Sequence, residues 1–227
     1  MSPQIPPPAN RLILAIDATQ EFGSLALARG AMVLEEMAVH GPNGFAHILY
    51  ARLDAILRNH GLRTEDINCF AAASGPGSFT GVRIGLACIK GLAETLGKPA
   101  VAISNLQALS TFGTAALRAP VLDARRGEIY GAIYNAAAQL VEPEMVDKAP
   151  AWLESLGRSD YEFVTSDTVL LRSLLAGTKF GSAPLTQAPH ELAAAVAGLA
   201  AVSEPCDPAG LDANYVRRSD AELFWKE

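Results

Sequence analysis

The chain has 227 residues, with 18 Lys plus Arg against 24 Asp plus Glu, a formal net charge of −6. Half of the residues are hydrophobic and 19% are charged, which excludes a disordered chain and supplies apolar side chains for one large domain or two small ones. The acidity argues against a stand-alone nucleic-acid binder, which needs a basic footprint to neutralise phosphates.

Met1 to Asn10 is Pro-rich and uncharged. It lacks the basic start and apolar run of a signal peptide and is expected to be a disordered arm. No apolar run reaches the roughly 20 residues that span a bilayer. Cys69, Cys88 and Cys206 are far apart and form no CxxC pair. A reduced, cytoplasmic setting without membrane contact is the expectation. Leu12 to Ile16 is a short apolar run ending at Asp17 and reads as a buried strand. Ser24 to Ala28 and Met32 to Val39 follow as two more, joined at Arg29-Gly30, so an antiparallel meander is expected. Gly41-Pro42-Asn43-Gly44 is a loop signal. From Phe45 the period becomes helical, with Ile48, Leu49, Leu53, Ile56 and Leu57 on one face and Asn59-His60-Gly61 as the stop. Ile67 to Ala73 predicts a strand, Gly75 to Gly77 a turn and Phe79 to Leu96 a helix. Ala100 to Ile103 predicts a strand and Leu106 to Leu117 a helix.

The pattern then restarts. Val121-Leu122 runs into Asp123 as Leu12 to Ile16 ran into Asp17. Ile129 to Tyr134 and Leu140 to Val146 read as strands, Trp152 to Leu156 as a short helix, and Glu162 to Thr165 as a strand. Val169 to Leu175 and His190 to Val202 read as helices. An order of three strands, helix, strand, helix therefore occurs twice. It predicts an α/β protein of two similar lobes, residues 11–110 and 111–227, each a mixed sheet flanked by helices. The tail from Cys206 to Glu227 offers Tyr215, Phe224 and Trp225 as anchors.

Ser74-Gly75-Pro76-Gly77-Ser78-Phe79-Thr80-Gly81-Val82-Arg83-Ile84-Gly85 is the most informative stretch. A strand enters a glycine turn that opens a helix, a geometry able to bind an anion. No Lys-Ser/Thr pair follows, so it is not a Walker A loop, and its G-x-G-x-x-x-G spacing is one residue too long for a dinucleotide fingerprint. The alternative is a tight connection capped by Ser78. Gly77, Gly81 and Gly85 recur every four residues, and a glycine inside a helix costs about 1 kcal/mol relative to alanine. A small-residue face lets a second helix approach closely. That partner could be internal or belong to another chain, and Ile48, Leu49 and Leu53 could share the surface. Asp17 and Asp123 end the first strand of each lobe. They could hold a metal or act as a base, or merely cap their turns. The cluster Asp123-Ala124-Arg125-Arg126-Gly127-Glu128 could bind an anion, but its carboxylates favour a self-satisfied turn. His40, His47, His60 and His190 form no ligand pair of helical spacing, and no Gly-x-Ser-x-Gly elbow exists.

Ile13-Leu14-Ala15-Ile16-Asp17-Ala18-Thr19, the Ser74 to Ala87 segment and Asp123 to Tyr130 together resemble the bacterial TsaB (YeaZ) family, over about residues 11 to 220. Asn214-Tyr215-Val216-Arg217 is similar to that family's tail motif. The resemblance implies a duplicated actin-like (ASKHA, ribonuclease H-like) fold. It implies a role in making threonylcarbamoyladenosine in tRNA as the non-catalytic partner of TsaD, with the ATPase TsaE joining the pair. It implies no cofactor on this chain, with ATP and metal on the partner subunits and tRNA reached only through the complex. It also implies a homodimer of the isolated chain through the surface that takes TsaD. Ile48, Leu49, Gly77, Phe79, Gly81, Val82, Gly85 and Leu86 become the expected partner interface. Asp17, Arg83, Asp123, Arg125, Arg126 and Glu128 become a ligand or structural cluster. Gln20, Glu21 and Phe22 fill the first hairpin turn, where a phosphate would need small residues, and Glu21 would repel it. The competing reading is an actin-like ATPase or sugar kinase with Asp17 and Asp123 around ATP-magnesium. A metallopeptidase would need a ligand set that the sequence does not display.

Overall fold

The computed structural model describes residues 7–40 and 46–217. Gly41 to Phe45, Phe224, Trp225 and the first six residues lie outside them. Part of the expected disordered arm is ordered: Pro8–Asn10 forms a 3₁₀ turn, with the Asn10 N–H donating to the Pro7 carbonyl at 2.9 Å.

The chain divides into two units, Met1–Asn105 with His190–Asn214, and Leu106–Pro189 with Tyr215–Glu227. In the first, β1 (Leu12–Asp17), β2 (Gly23–Arg29) and β3 (Met32–Val39) form the antiparallel meander. Helix α1 (Ala46–Asn59) leads to β4 (Cys69–Ala73), and α2 (Phe79–Leu96) leads to β5 (Ala100–Ile103). The sheet order is β3-β2-β1-β4-β5, with β4 and β5 parallel to β1. All six residues of β1 are buried, because helices cover both faces of the sheet. Leu12, Leu14 and Ile16 join Leu49, Leu53, Ile56, Val82 and Ile89 of α1 and α2 in one core. A further helix, Ala193–Val202, packs on β1, β2 and β4.

The second unit repeats the plan. α3 (Asn105–Ser110) precedes β6 (Leu117–Arg125), β7 (Glu128–Asn135), β8 (Leu140–Lys148), α4 (Ala149–Ser155), β9 (Glu162–Thr165), α5 (Thr168–Leu175) and β10 (Leu185–Gln187). The order is β10-β9-β6-β7-β8, the same arrangement as the first sheet. Its core gathers Val121, Ile129, Ile133, Trp152, Phe163, Leu171 and Phe180.

Three expectations change. The helix predicted over Leu106 to Leu117 stops at Ser110, and Leu117 already belongs to β6. The intervening backbone is held by side chains from afar: the Glu162 carboxylate accepts from the Thr114 and Ala115 N–H groups, both at 2.6 Å. Arg118 donates to the Ser110 and Ala115 carbonyls at 3.2 and 3.0 Å. Second, β10 completes the sheet where the sequence signalled no strand. Third, residues 190–214, expected in the second lobe, belong to the first unit. The helix there, now α6, has no side-chain cap of its own. Ser24 Oγ accepts from the Ala193 N–H at 3.0 Å and Glu36 Oε1 from the Ala194 N–H at 2.9 Å. The capping donors of α6 thus find their acceptors on β2 and β3, which draws the helix back to the first sheet.

Candidate functional site

In the first unit the conspicuous residues converge where β1 ends. Asp17 is fully buried. Its Oδ1 accepts from the Thr19 N–H at 2.9 Å, the Thr19 hydroxyl at 2.6 Å and Asn105 Nδ2 at 3.5 Å. Its Oδ2 is buried without a hydrogen-bond partner. Burial pushes the carboxyl above the usual range, and the bonds from Thr19 and Asn105 oppose that only in part. Asn105 also donates to Thr19 Oγ1 at 2.6 Å and accepts from the Gly75 N–H at 2.9 Å. The tail seals the same place: the Asn214 N–H donates to the Ser74 carbonyl at 2.8 Å.

The glycine turn closes over this network. Ser78 caps α2 as expected, accepting from the Gly81 N–H at 3.3 Å, and its own N–H donates to the Thr19 carbonyl at 2.7 Å. A Cβ on Gly77 would stand 2.7 Å from the Thr19 carbonyl oxygen, and one on Gly81 only 1.9 Å from that of Ala18. A Cβ on Gly85 would make ordinary contact, 3.7 Å from the Ala18 Cβ. The partner of the glycine face is therefore the β1–β2 hairpin of the same unit, and Gly77, Gly81 and Gly85 are not an exposed interface. Leu49, Val82 and Leu86 are also withdrawn, buried in the core, and Ile48 is half-buried. At the turn of the hairpin Phe22, itself 41% exposed, stacks with His40 at a centroid distance of 5.2 Å and meets His190 at a tilt at 5.3 Å, a grouping that spacing along the chain does not reveal.

The outward faces of α1 and α2 carry different residues. Tyr50 is 64% exposed and Phe79 39%, and the Arg83 guanidinium lies 3.8 Å from the centroid of the Phe79 ring. His47, Ala51, Thr80 and Ala87 are exposed around them. Tyr50 shares a hydrogen bond with Cys88, whose thiol burial pushes up to about 11. Of the expected interface, Phe79 alone is exposed. Tyr50 was missed, although its place three residues before Leu53 already set it beside the buried stripe.

In the second unit, Asp123 to Glu128 forms the β6–β7 hairpin tip. Asp123 Oδ1 accepts from the Arg125 N–H at 2.7 Å, and its other oxygen lies 3.6 Å from the Arg125 guanidinium. Glu128 pairs instead with Arg217 of the tail at 3.1 Å, and Arg217 also donates to the Ala124 carbonyl at 2.9 Å. The self-satisfied turn is thus completed by a residue from outside it, and Arg217 anchors the tail. Among the described residues no group of three or more His, Cys, Asp or Glu side chains is placed to hold a metal ion. No helix of the described residues is long and apolar enough to cross a membrane.

A meander of three strands, extended by two parallel strands on its first member and repeated in a second unit, defines a duplicated actin-like protein of the ribonuclease H-like class. A family model described as TsaD, tRNA N6-adenosine threonylcarbamoyltransferase, matches residues 44–195. The tRNA threonylcarbamoyladenosine biosynthesis protein TsaB of Bacillus subtilis is 32% identical over 95% of this chain and 98% of its own length. The Escherichia coli protein of the same name is 34% identical over 69% of this chain and 71% of its own. The solved structure of YeaZ from Pseudomonas aeruginosa superposes with a TM-score of 0.74 at 22% identity, over 90% of this chain and 99% of that one, and so shares the fold. The chain belongs to the TsaB (YeaZ) family.

Proposed function

We propose that this chain is a non-catalytic, activating subunit of the cytoplasmic assembly that makes threonylcarbamoyladenosine in tRNA. It pairs with TsaD and through that pair engages TsaE, while ATP and metal sit on the partner subunits and tRNA is met only in the complex. Alone, it forms a homodimer through the surface that otherwise receives TsaD. The names of its curated relatives support the pathway. The observation that carries the non-catalytic reading is the closed end of β1. A nucleotide phosphate needs free backbone N–H groups and room beside them. Here the Ser78 N–H is taken by the Thr19 carbonyl, and α2 rests on the Ala18 carbonyl with no space for a single methyl group. The outward α1–α2 face, with Tyr50, Phe79 and Arg83, has the aromatic and arginine character of an interface centre.

The test is light scattering behind size exclusion on the chain alone and mixed with TsaD, with and without ATP. A homodimer that exchanges into a heterodimer, and a Tyr50→Arg variant that stays folded but does neither, is the expected result. A persistent monomer indifferent to TsaD, or nucleotide binding by the isolated chain that Asp17→Ala abolishes, would overturn the proposal.

A further inference from the structure

The second sheet ends on β8, nine residues with no strand beyond it among the described residues. A free edge of that length is a template for pairing with another chain unless it is blunted or covered. The opposite edge, β10, has only three residues and avoids the problem by its shortness. The middle of β8 is blunted. Pro143 has no N–H to donate, and the pairing with β7 shifts register twice, between Gly131 and Ile133 and between Ile133 and Tyr134. Its first two residues are neither charged nor buried: Leu140 is 53% exposed and Val141 51%.

The chain's own C-terminus lies within reach of that end. Arg217, the last described residue, is fixed at the other end of the same strand. It holds the Ala124 carbonyl and Glu128, and Glu128 stands opposite Lys148, where β8 stops. Ten residues follow, 218–227, outside the described part of the chain. They open with Arg218-Ser219-Asp220-Ala221-Glu222, which carry no large apolar side chain, and then place Leu223, Phe224 and Trp225 in a row. Phe224 lies seven residues beyond Arg217, and Val141 seven residues before Lys148. At about 3.3 Å per residue both spans are roughly 23 Å. A tail running back along β8 therefore carries its three apolar residues to the two that the edge leaves exposed. Burial of those side chains is the main gain open to so short a segment.

We propose that residues 218–227 dock along β8, with Leu223, Phe224 and Trp225 covering Leu140 and Val141. The free edge of the second sheet is then closed by the chain itself, not by a second copy or another protein. This inference stands apart from the functional reading above.

Hydrogen exchange read by mass spectrometry on the whole chain tests it, with Phe224→Ser/Trp225→Ser as the variant. Peptides spanning β8 should exchange about 10-fold faster in the variant than in the parent. Peptides of β6 and β9 should be unchanged, which separates an opened edge from an unfolded unit. A second readout follows Trp225 itself, the only tryptophan left in a Trp152→Phe chain. Adding Leu140→Glu/Val141→Glu should raise its quenching by iodide about 3-fold, as a ring passes from apolar contact to water. Adding Val169→Glu, at a residue 81% exposed on α5, should not. The exchange readout leaves Trp152 in place and so does not depend on the core tolerating its loss. Equal exchange of β8 in parent and variant overturns the proposal, as does quenching of Trp225 that responds to Val169→Glu and not to the β8 pair. Protection of β8 that grows with protein concentration assigns the edge to a second copy and also overturns it.

Discussion

Three glycines of α2 form a graded experiment in one helix. Alanine at Gly81 would place a Cβ 1.9 Å from the Ala18 carbonyl oxygen. Both atoms belong to backbone or are fixed to it, so no rotamer relieves the overlap. Either α2 or the hairpin must retreat by more than an ångström, and the 2.7 Å bond from the Ser78 N–H to the Thr19 carbonyl lies directly in the strained region. Overpacking of this kind costs about 1–3 kcal/mol, and the broken hydrogen bond adds about 1 kcal/mol. Alanine's better helix propensity offsets about 1 kcal/mol. The net destabilisation is about 1–3 kcal/mol, a fall in melting temperature of roughly 2–12 °C for a chain of this size. Alanine at Gly91, with nothing within 4 Å, meets no such penalty and should stabilise by up to about 1 kcal/mol. Gly85→Ala, whose Cβ would make ordinary contact, should fall near Gly91→Ala. Thermal and urea melts of the three variants measure this directly. If Gly81→Ala is as stable as Gly91→Ala, α2 does not rest on the hairpin, and the glycine face would again be available to a partner.

Removing the cap that Ser24 gives α6, by Ser24→Ala, should cost about 1 kcal/mol, read as a shift in urea midpoint without a change in slope. Glu162 is held below the ordinary carboxylate range: burial pushes it up, but hydrogen bonds from Thr186 and the Ala115 and Thr114 N–H groups outweigh that. A depressed carboxyl stabilises the fold above its unfolded value of 4.5 and loses that contribution as pH falls through the folded value. Glu162→Gln should therefore flatten the acid limb of the stability curve, and a variant with an unchanged limb would contradict the assignment. Asp17 runs the other way. Its raised pKa makes its contribution full below the unfolded value of 3.8 and lost as pH rises through the folded one. Asp17→Asn should thus be relatively more stable at neutral pH than at pH 4, and a pH-independent difference would show that the buried carboxyl does not titrate.

The sequence announced most clearly what local chemistry decides. Phe79 to Leu96 matches α2 residue for residue because both ends are written locally: Ser78 caps the start, and Gly97 at φ 59° closes the end. The strands at 100–103 and 162–165 coincide for the same reason, each a short apolar run between turns. What failed to show depends on distant partners. The 106–117 segment has helical periodicity, yet Glu162 and Arg118 supply its backbone with other bonds. The acceptors that draw α6 to the first unit lie on β2 and β3, 169 and 158 residues before the N–H groups they receive. The four-residue glycine spacing announced a close approach but not its partner, since one period serves a neighbouring hairpin as well as a second chain.

Asp17 and Asp123 show how one local motif acquires two fates. Asp17 ends β1 and Asp123 lies two residues before the end of β6, and each accepts the N–H two residues on through Oδ1, at 2.9 Å from Thr19 and 2.7 Å from Arg125. The intrinsic turn chemistry is the same. The difference lies in what comes next. After Asp17, small residues at 18 and 19 let the Gly77–Gly81 turn settle on the hairpin, and Asn105 ties the two together. Asp17 is then wholly buried. Beyond Asp123, Arg125 and Arg126 take left-handed conformations, and the Asp123 side chain stays 38% exposed. Substitutions should follow that difference in burial: Asp17→Ala should change the melting temperature more than Asp123→Ala, and equal shifts would show that the buried network adds nothing to the turn.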